Sequence, residues 1–444
     1  MAPDVWHNGL LYRGIKHLVN FGLRAYFGKI VIKGRENLPD GQSYILAPNH
    51  QNAFLDALMI LQLNRFRPTV FLARADIFAS TAARKVLGFL KIMPVYRARD
   101  GRQSLANNDA IFHTAVEVIS RQVPFCMMAE GTHNDRRQLL PLKKGLCRIA
   151  FAAKLQTPEK PLYIVPVGID YESYSMPGRQ AVINIGKPIA VDGYMELYHS
   201  GNAVAVNALK EDLRKGITSQ MHNIQSAAHY NEFYLLSKLH ADHLGGDAWN
   251  RFENRRRLTR RLDGLETTDA HSVEKLCEAT NELSAYCRDK GFPVERVFGL
   301  PRVVETVVGT MLAMGVLATV FALSWRAGLM SLLLCPVPFL PTRLLFRGQE
   351  DKQFVGSLNF AVQFLLTVLY LVAMPVFVWI CQGWRYAVVA LVCGVVVWRL
   401  GYILADKLKG YAEVWKVLIF NYKALKQTKH KILSVFENIG TTDN

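Results

Sequence analysis

Pro48-Asn49-His50-Gln51-Asn52-Ala53-Phe54-Leu55-Asp56 sets a histidine and an aspartate six positions apart, between a β-like run at Ser43–Ala47 and a helical pattern at 53–64. A histidine just past a strand end faces the cleft in which α/β sheets gather ligands. Imidazole is the side chain best matched to taking a proton from a hydroxyl near neutral pH. As a base it needs a partner that fixes its tautomer and stabilises the imidazolium, and Asp56 is the nearest carboxylate downstream. On one continuous helix, six positions turn Asp56 about 120° away from His50. The pair therefore meets only if His50 precedes the helix or if the first turn is irregular. By itself the pattern also fits unrelated surface or capping residues.

Three further strand-end motifs accompany it. Gly88 to Arg97 ends a strand-like run with a base, and Met128-Ala129-Glu130-Gly131-Thr132 ends another with a carboxylate and a glycine. Leu140-Pro141-Leu142-Lys143-Lys144-Gly145 follows, and then Ile164-Val165-Pro166-Val167-Gly168-Ile169. Each has a plain structural meaning as well. Arg97 fits an ordinary strand-end base, Gly131 a turn with positive φ, and Lys143 and Lys144 the start of a helix or a solvated face.

In this order the motifs resemble the four sequence blocks of the phospholipid and glycerol acyltransferases, from Gly34-Arg35-Glu36-Asn37-Leu38-Pro39 to Gly186-Lys187-Pro188-Ile189. The resemblance implies an α/β acyltransferase domain, a mixed sheet flanked by helices. It also implies transfer of a fatty acyl group from a coenzyme A or acyl-carrier-protein thioester to an acceptor hydroxyl. His50 is then the general base and Asp56 orients it, with backbone N–H groups stabilising the oxyanion. Arg97 takes the place of the second-block arginine, and Glu130, Gly131 and Thr132 that of the third block, which shapes the acceptor site. Arg74, Lys143 and Lys144 join the acceptor and phosphate side, while Val165 and Pro166 fall on the acyl side or on strand packing. The resemblance implies no metal and no prosthetic group; the acyl thioester is a substrate.

The chain departs from the family pattern in three places. Five residues stand between His50 and Asp56 where many members have four, although some, fungal-type glycerol-3-phosphate acyltransferases among them, share the longer spacing. His133 stands where an arginine would hold an acceptor phosphate bidentately, leaving Arg136, Arg137, Lys143 or Lys144 to replace it, or an acceptor without phosphate. The third departure is a long apolar region after residue 300. Glycerol 3-phosphate and 1-acylglycerol 3-phosphate are the leading acceptors. Rival readings are a different lipid alcohol or amine, and a non-catalytic membrane scaffold on an acyltransferase-like domain.

Positioning such motifs takes alternating strands and helices. β-like runs recur at Ile30–Ile32, Ser43–Ala47, Thr69–Ala73, Ile92–Val95, Pro124–Met128, Leu162–Val167 and Val182–Ile185, with helical patterns at 53–64, 103–121, 144–154 and 204–225. Ahead of them Leu11, Ile15, Leu18, Gly22, Leu23 and Tyr26 share one helix face, rimmed by Arg13, Lys16 and Arg24. Such a stripe suits a membrane interface or core packing equally.

The 444 residues carry 53 Lys and Arg against 36 Asp and Glu, a net charge of +17. That excess points to an anionic membrane, an acidic substrate or nucleic acid. The cluster Arg251, Arg255, Arg256, Arg257, Arg260 and Arg261 reads as a solvated face or a lipid-headgroup contact. Without a recognisable nucleic-acid motif, no nucleic-acid partner is expected. None of the seven cysteines forms a C-x-x-C pair, which suits buried thiols in a reducing compartment.

From Phe354 to Trp384 no residue is charged, and similar runs mark helices at about 305–325, 328–342, 358–381 and 386–405. Arg343, Arg347, Lys352 and the lysines after Asp406 then place both ends on the cytosolic side. The expected organisation is an interfacial helix over 1–28, an acyltransferase domain over 29–230 and a basic helical connector over 231–300. A membrane region over 301–406 and a basic cytosolic tail over 407–444 complete it. The expected location is the inner or cytoplasmic membrane, multi-pass, with the catalytic domain facing the cytosol. The expected partners are membrane lipids and acyl-CoA or acyl-carrier protein.

Overall fold

The computed structural model describes residues 6–64, 67–96, 102–174, 178–289, 352–388 and 422–438, with a few positions between 294 and 415. Each of the seven expected strands is present: β1 (Lys29–Lys33), β2 (Ser43–Pro48), β3 (Val70–Arg74), β4 (Ile92–Val95), β5 (Phe125–Cys126), β6 (Leu162–Tyr171) and β7 (Gln180–Ile185). A short β8 (Ile189–Ala190) joins them. The order across the sheet is β1-β7-β6-β2-β5-β3-β4, with β8 on β6. β6 runs antiparallel to β7 and β8; every other pairing is parallel, so the sheet is mixed.

Parallel strands need crossover connections, and helices supply them. These are α2 (Ala53–Ile60), α3 (Thr81–Phe89), α4 (Arg102–Ser120) and α5 (Gly145–Gln156), while α1 (Leu10–Tyr26) precedes the first strand and α6 (Met195–Ser200) and α7 (Asn202–Gln220) follow the last. The sheet is covered on both faces, and β2 reads out the alternation. Ile45 and Ala47 enter a core with α4, α5 and α7, while Tyr44 and Leu46 enter a second core with α1 and α2. All six residues of β2 are buried, as a central strand covered on both faces requires.

Val165 and Pro166 lie on opposite faces of β6. Val165 belongs to the core under α1 and α2, and Pro166 packs against Gly216 of α7. A proline in a central strand removes a ladder donor. Here β6 is changing neighbours, from β8 at Tyr163 and Ile164 to β7 from Val167 onward, so the missing donor costs no pairing.

α1 departs from its expected stripe. Gly22, Leu23 and Tyr26 are buried, but Leu11 and Leu18 are exposed, and so are Leu10 and Phe21. Lys16, placed by sequence on the basic rim, is buried, because its ammonium donates to the carbonyls of Asn64 and Arg67.

The described part of the connector folds as three helices, α8 (Tyr230–Leu244), α9 (Ala248–Thr268) and α10 (Ala270–Asp289). Half of its arginine cluster is not a solvated face. Arg255 pairs with Asp170 at 2.6 Å, Arg251 donates to Gln180 at 2.8 Å, and Arg256 reaches Glu253 and the Ser219 carbonyl. These side chains fasten α9 to the sheet and to the end of α7, while Arg257 and Arg260 remain exposed.

The long helices that follow among the described residues are α11 (Lys352–Gln382) and α12 (Tyr422–Asn438). Among the described residues α11 alone is long and apolar enough to cross a membrane, over Val355–Gln382. The expected helix at 328–342 lies outside the described residues, and those at 305–325 and 386–405 overlap them only in short helical pieces. Part of the expected tail is helix α12, whose Ile432 and Phe436 are buried in the core of α8, α9 and α10. Among the described residues, Cys126, Cys147, Cys277 and Cys287 are buried and Cys381 is exposed.

Candidate active site

The carboxyl ends of the parallel strands converge on one edge, which brings the motifs together. β2 ends at Pro48, and Asn49 continues its pairing with a side chain. Its amide donates to the Ile169 carbonyl at 3.0 Å and accepts from the Ile169 N–H at 2.6 Å. That double bond anchors the next residue, His50, beside the sheet. His50 precedes α2, so the six-position spacing does not turn Asp56 away. His50 Nδ1 lies 2.9 Å from Asp56 Oδ2.

Asp56 is fully buried and fully used. Besides His50, its Oδ2 accepts the N–H groups of Gln51 and Asn52, each at 2.8 Å, and its Oδ1 accepts the Tyr171 hydroxyl at 2.7 Å. An ionised carboxylate only accepts, so Nδ1 carries the hydrogen and the lone pair sits on Nε2. The ring itself is partly open, with 18% of its side chain exposed. A buried carboxylate behind a partly exposed imidazole is the arrangement that makes histidine a directional base. Burial, with the Asp56 carboxylate beside it, pushes the Tyr171 phenol well above its ordinary value and keeps it a donor.

Glu130 occupies the loop after β5. It is 2% exposed, and its Oε1 accepts the His50 N–H at 2.6 Å while Oε2 accepts the Leu140 N–H at 2.8 Å. It therefore ties the histidine loop to the loop that leads into Lys143. Burial raises its carboxyl to about 7, against the pull of those two N–H bonds and of His50. Gly131 has φ +71°, the left-handed conformation its motif predicted, and its open side faces the Lys143 side chain. Thr132, Lys143 and Lys144 are exposed beside it.

The remaining expected residues divide. Arg74 ends β3 and is half-exposed, held by an ion pair to Asp76. Arg97 lies outside the described residues. Val165 and Pro166 are packed within the sheet, and neither lines the large apolar cavity. That cavity, about 200 Å³, lies between α1, α2, the β3–β4 edge and α11, lined by Phe54, Leu58, Leu61, Phe71, Phe360 and Phe364 among others. It opens off α2, the helix that carries Asp56.

Arg137 cannot replace the missing third-block arginine. It is buried, pairs with Asp170 and with the Tyr171 carbonyl, and lies against the Tyr174 and Tyr234 rings. Arg136 is exposed over the Tyr230 ring. His133 sits instead beside His50, the ring centres 5.4 Å apart and edge-on. Sequence reasoning missed Tyr171, Asn49 and Glu130's true contacts. Tyr171 left only a faint trace, as one of two tyrosines on a mostly apolar strand that also carries Asp170.

Residues 29–170 match the family model for Acyltransferase. The chain is 33% identical over 95 residues to glycerol-3-phosphate O-acyltransferase 2 of Saccharomyces cerevisiae, and 28% identical over 116 residues to glycerol-3-phosphate O-acyltransferase 1 of the same yeast. Those matches cover 21% and 26% of this chain but only 13% and 15% of the yeast proteins. Among solved structures it is similar to the 1-acyl-sn-glycerophosphate (LPA) acyltransferase PlsC from Thermotoga maritima. The identity is 23% and the TM-score 0.31, over 46% of this chain and 81% of that one. Residues 29–170 are thus an acyltransferase-family domain of the phospholipid and glycerol acyltransferase kind.

Proposed function

We propose that this chain is a membrane-bound acyltransferase. It moves a fatty acyl group from acyl-CoA or acyl-carrier protein to the hydroxyl of glycerol 3-phosphate or 1-acylglycerol 3-phosphate. The observation that carries the reading is the 2.9 Å contact between His50 Nδ1 and a buried Asp56 at the carboxyl end of a parallel strand. Nε2 takes the hydroxyl proton as the acceptor oxygen attacks the thioester carbonyl. The tetrahedral adduct then collapses, the C–S bond breaks, and the departing thiolate takes the proton from the imidazolium. Asp56 stabilises the imidazolium between the two transfers. The balance closes without a covalent enzyme intermediate or a further group.

Exposed Lys143 and Lys144, with Arg74 and Arg97, supply positive charge for the donor and for an acceptor phosphate. The apolar cavity beside α2 suits the first part of an acyl chain. Two exposed apolar surfaces favour membrane attachment: Leu10, Leu11, Leu18 and Phe21 on α1, and Leu365, Leu369, Val372, Val376 and Ile380 on α11. The basic residues after residue 342 favour a multi-pass arrangement with the catalytic domain on the cytosolic face.

A second reading, a lipid alcohol or amine without phosphate as acceptor, rests on the locked Arg137 and on His133 beside the base. One experiment separates the two. Purified protein in lipid nanodiscs receives labelled acyl-CoA or acyl-carrier protein with glycerol 3-phosphate, 1-acylglycerol 3-phosphate or monoacylglycerol in turn. Product with a phosphorylated acceptor supports the first reading, and product with monoacylglycerol alone supports the second. No acyl transfer to any of the three would overturn both and leave the scaffold role.

A further inference from the structure

Helix α2 begins with an unusual defect. Its first-cap residue, Asn52, makes no side-chain capping bond, and Ala53 stands at φ +43°, a conformation that an alanine rarely adopts. Such strain persists only where surrounding structure holds it. Here the holding group arrives from about 300 residues downstream. Ser357, in the second turn of α11, donates its hydroxyl to the Asn52 carbonyl at 2.9 Å and accepts the Leu55 N–H at 3.1 Å. Leu55 N–H is shared with the Asn52 carbonyl at 2.9 Å, so the three groups close a ring around Ala53.

The preceding residue permits the approach. Gly356 lies against the Tyr174 carbonyl and the Asn52 amide, where a Cβ would overlap the carbonyl oxygen. Phe360, one turn on, packs edge-on to Tyr26 at 5.3 Å and fixes the helix from the other side. Ser357 and Gly356 are both buried, at the start of a helix whose last four residues, Trp379 to Gln382, are exposed. Asp56 follows Leu55 directly, and its Oδ2 accepts from Asn52, so the ring braced by Ser357 is the frame on which the His50 contact is built.

We propose that Ser357 is a positioning residue: the start of the apolar helix α11 caps the catalytic helix and holds Asp56 in register with His50. This deepens, and rests on, the acyl-transfer reading of the His50 site. It also gives the C-terminal helix a role besides anchorage, because a displaced α11 releases the first turn of α2.

The test uses full-length protein in nanodiscs, as wild type, Ser357→Ala, Ser357→Thr and Thr367→Val. Thr367 is a control whose buried hydroxyl bonds only within α11, to the Gln363 carbonyl. Amide hydrogen exchange over 50–56 is expected to quicken in Ser357→Ala and to stay at the wild-type rate in Thr367→Val. Loss of two neutral hydrogen bonds predicts kcat lower by roughly tenfold in Ser357→Ala, with KM for both substrates unchanged. Ser357→Thr, which keeps the hydroxyl, restores both readouts. Wild-type exchange over 50–56 in Ser357→Ala would overturn the proposal, as would quickened exchange with unchanged kcat. If the wild type transfers no acyl group, the acyl-transfer reading fails by itself, and the exchange rates still decide whether Ser357 braces the turn.

Discussion

Asp56→Asn is the most informative single change, because the shape of the side chain survives while its charge does not. Asparagine keeps a carbonyl that can accept the His50, Gln51 and Asn52 hydrogens now held by Oδ2, and its amide can face the Tyr171 oxygen. The fold should therefore persist. What disappears is a buried carboxylate 2.9 Å from the ring that, in the proposed mechanism, becomes an imidazolium. Opposite charges with centres about 4 Å apart interact by about 4 kcal/mol at an effective dielectric constant near 20. That figure sets an upper bound of about 10³ in rate, at 1.36 kcal/mol per tenfold. Replacing a charge-assisted hydrogen bond by a neutral one sets the lower bound, about tenfold. Release of free coenzyme A, followed with a thiol reagent at saturating acceptor, reads kcat directly. The expected result is a fall of about 10²-fold with unchanged KM and melting temperature. A fall of less than threefold in a protein that melts normally would refute the base–carboxylate argument.

Other expectations follow from the same geometry. Tyr171→Phe removes one donor from Asp56 and should lower kcat by about threefold to tenfold, with little change in KM, read in the same thiol assay. Glu130 has its folded value raised to about 7 by burial, above the 4.5 of an exposed glutamate. The folded chain then binds more protons than the unfolded chain between those values. Its stability should fall as pH rises through that window, by roughly 3 kcal/mol at full extent. Glu130→Gln should flatten that slope in melting curves taken from pH 4.5 to 8, and an unchanged slope would count against the assignment.

Much of the sheet was legible because buried parallel strands write themselves as apolar runs. Ser43–Ala47 and Leu162–Val167 needed no partner to be recognised. The His50–Asp56 pair was legible as a candidate, and its uncertain geometry was resolved by where α2 begins. What stayed hidden depends on distant partners. Lys16 reads as a surface base until the Asn64 and Arg67 carbonyls are in place, and Arg137 reads as a phosphate ligand until Asp170 claims it. The α9 arginines read as a solvated face because their acceptors, Asp170, Gln180 and the end of α7, lie 37 to 85 positions away. The same holds for α12, whose two buried apolar residues are too few to outweigh its lysines in the sequence. Periodicity reports which face of an element is apolar. It does not report which polar side chain has a partner waiting.

The central claim is that His50 takes the acceptor's proton, and His50→Gln tests it most directly. Glutamine keeps a polar side chain on the loop but cannot serve as a base. The assay is acyl transfer from acyl-CoA to whichever acceptor the wild type uses, with product and free thiol counted together. A positioned general base contributes about 10²- to 10⁴-fold. The expected result is a loss of that size in kcat, with thioester and acceptor binding retained. Turnover within tenfold of the wild type in a folded His50→Gln protein would contradict it.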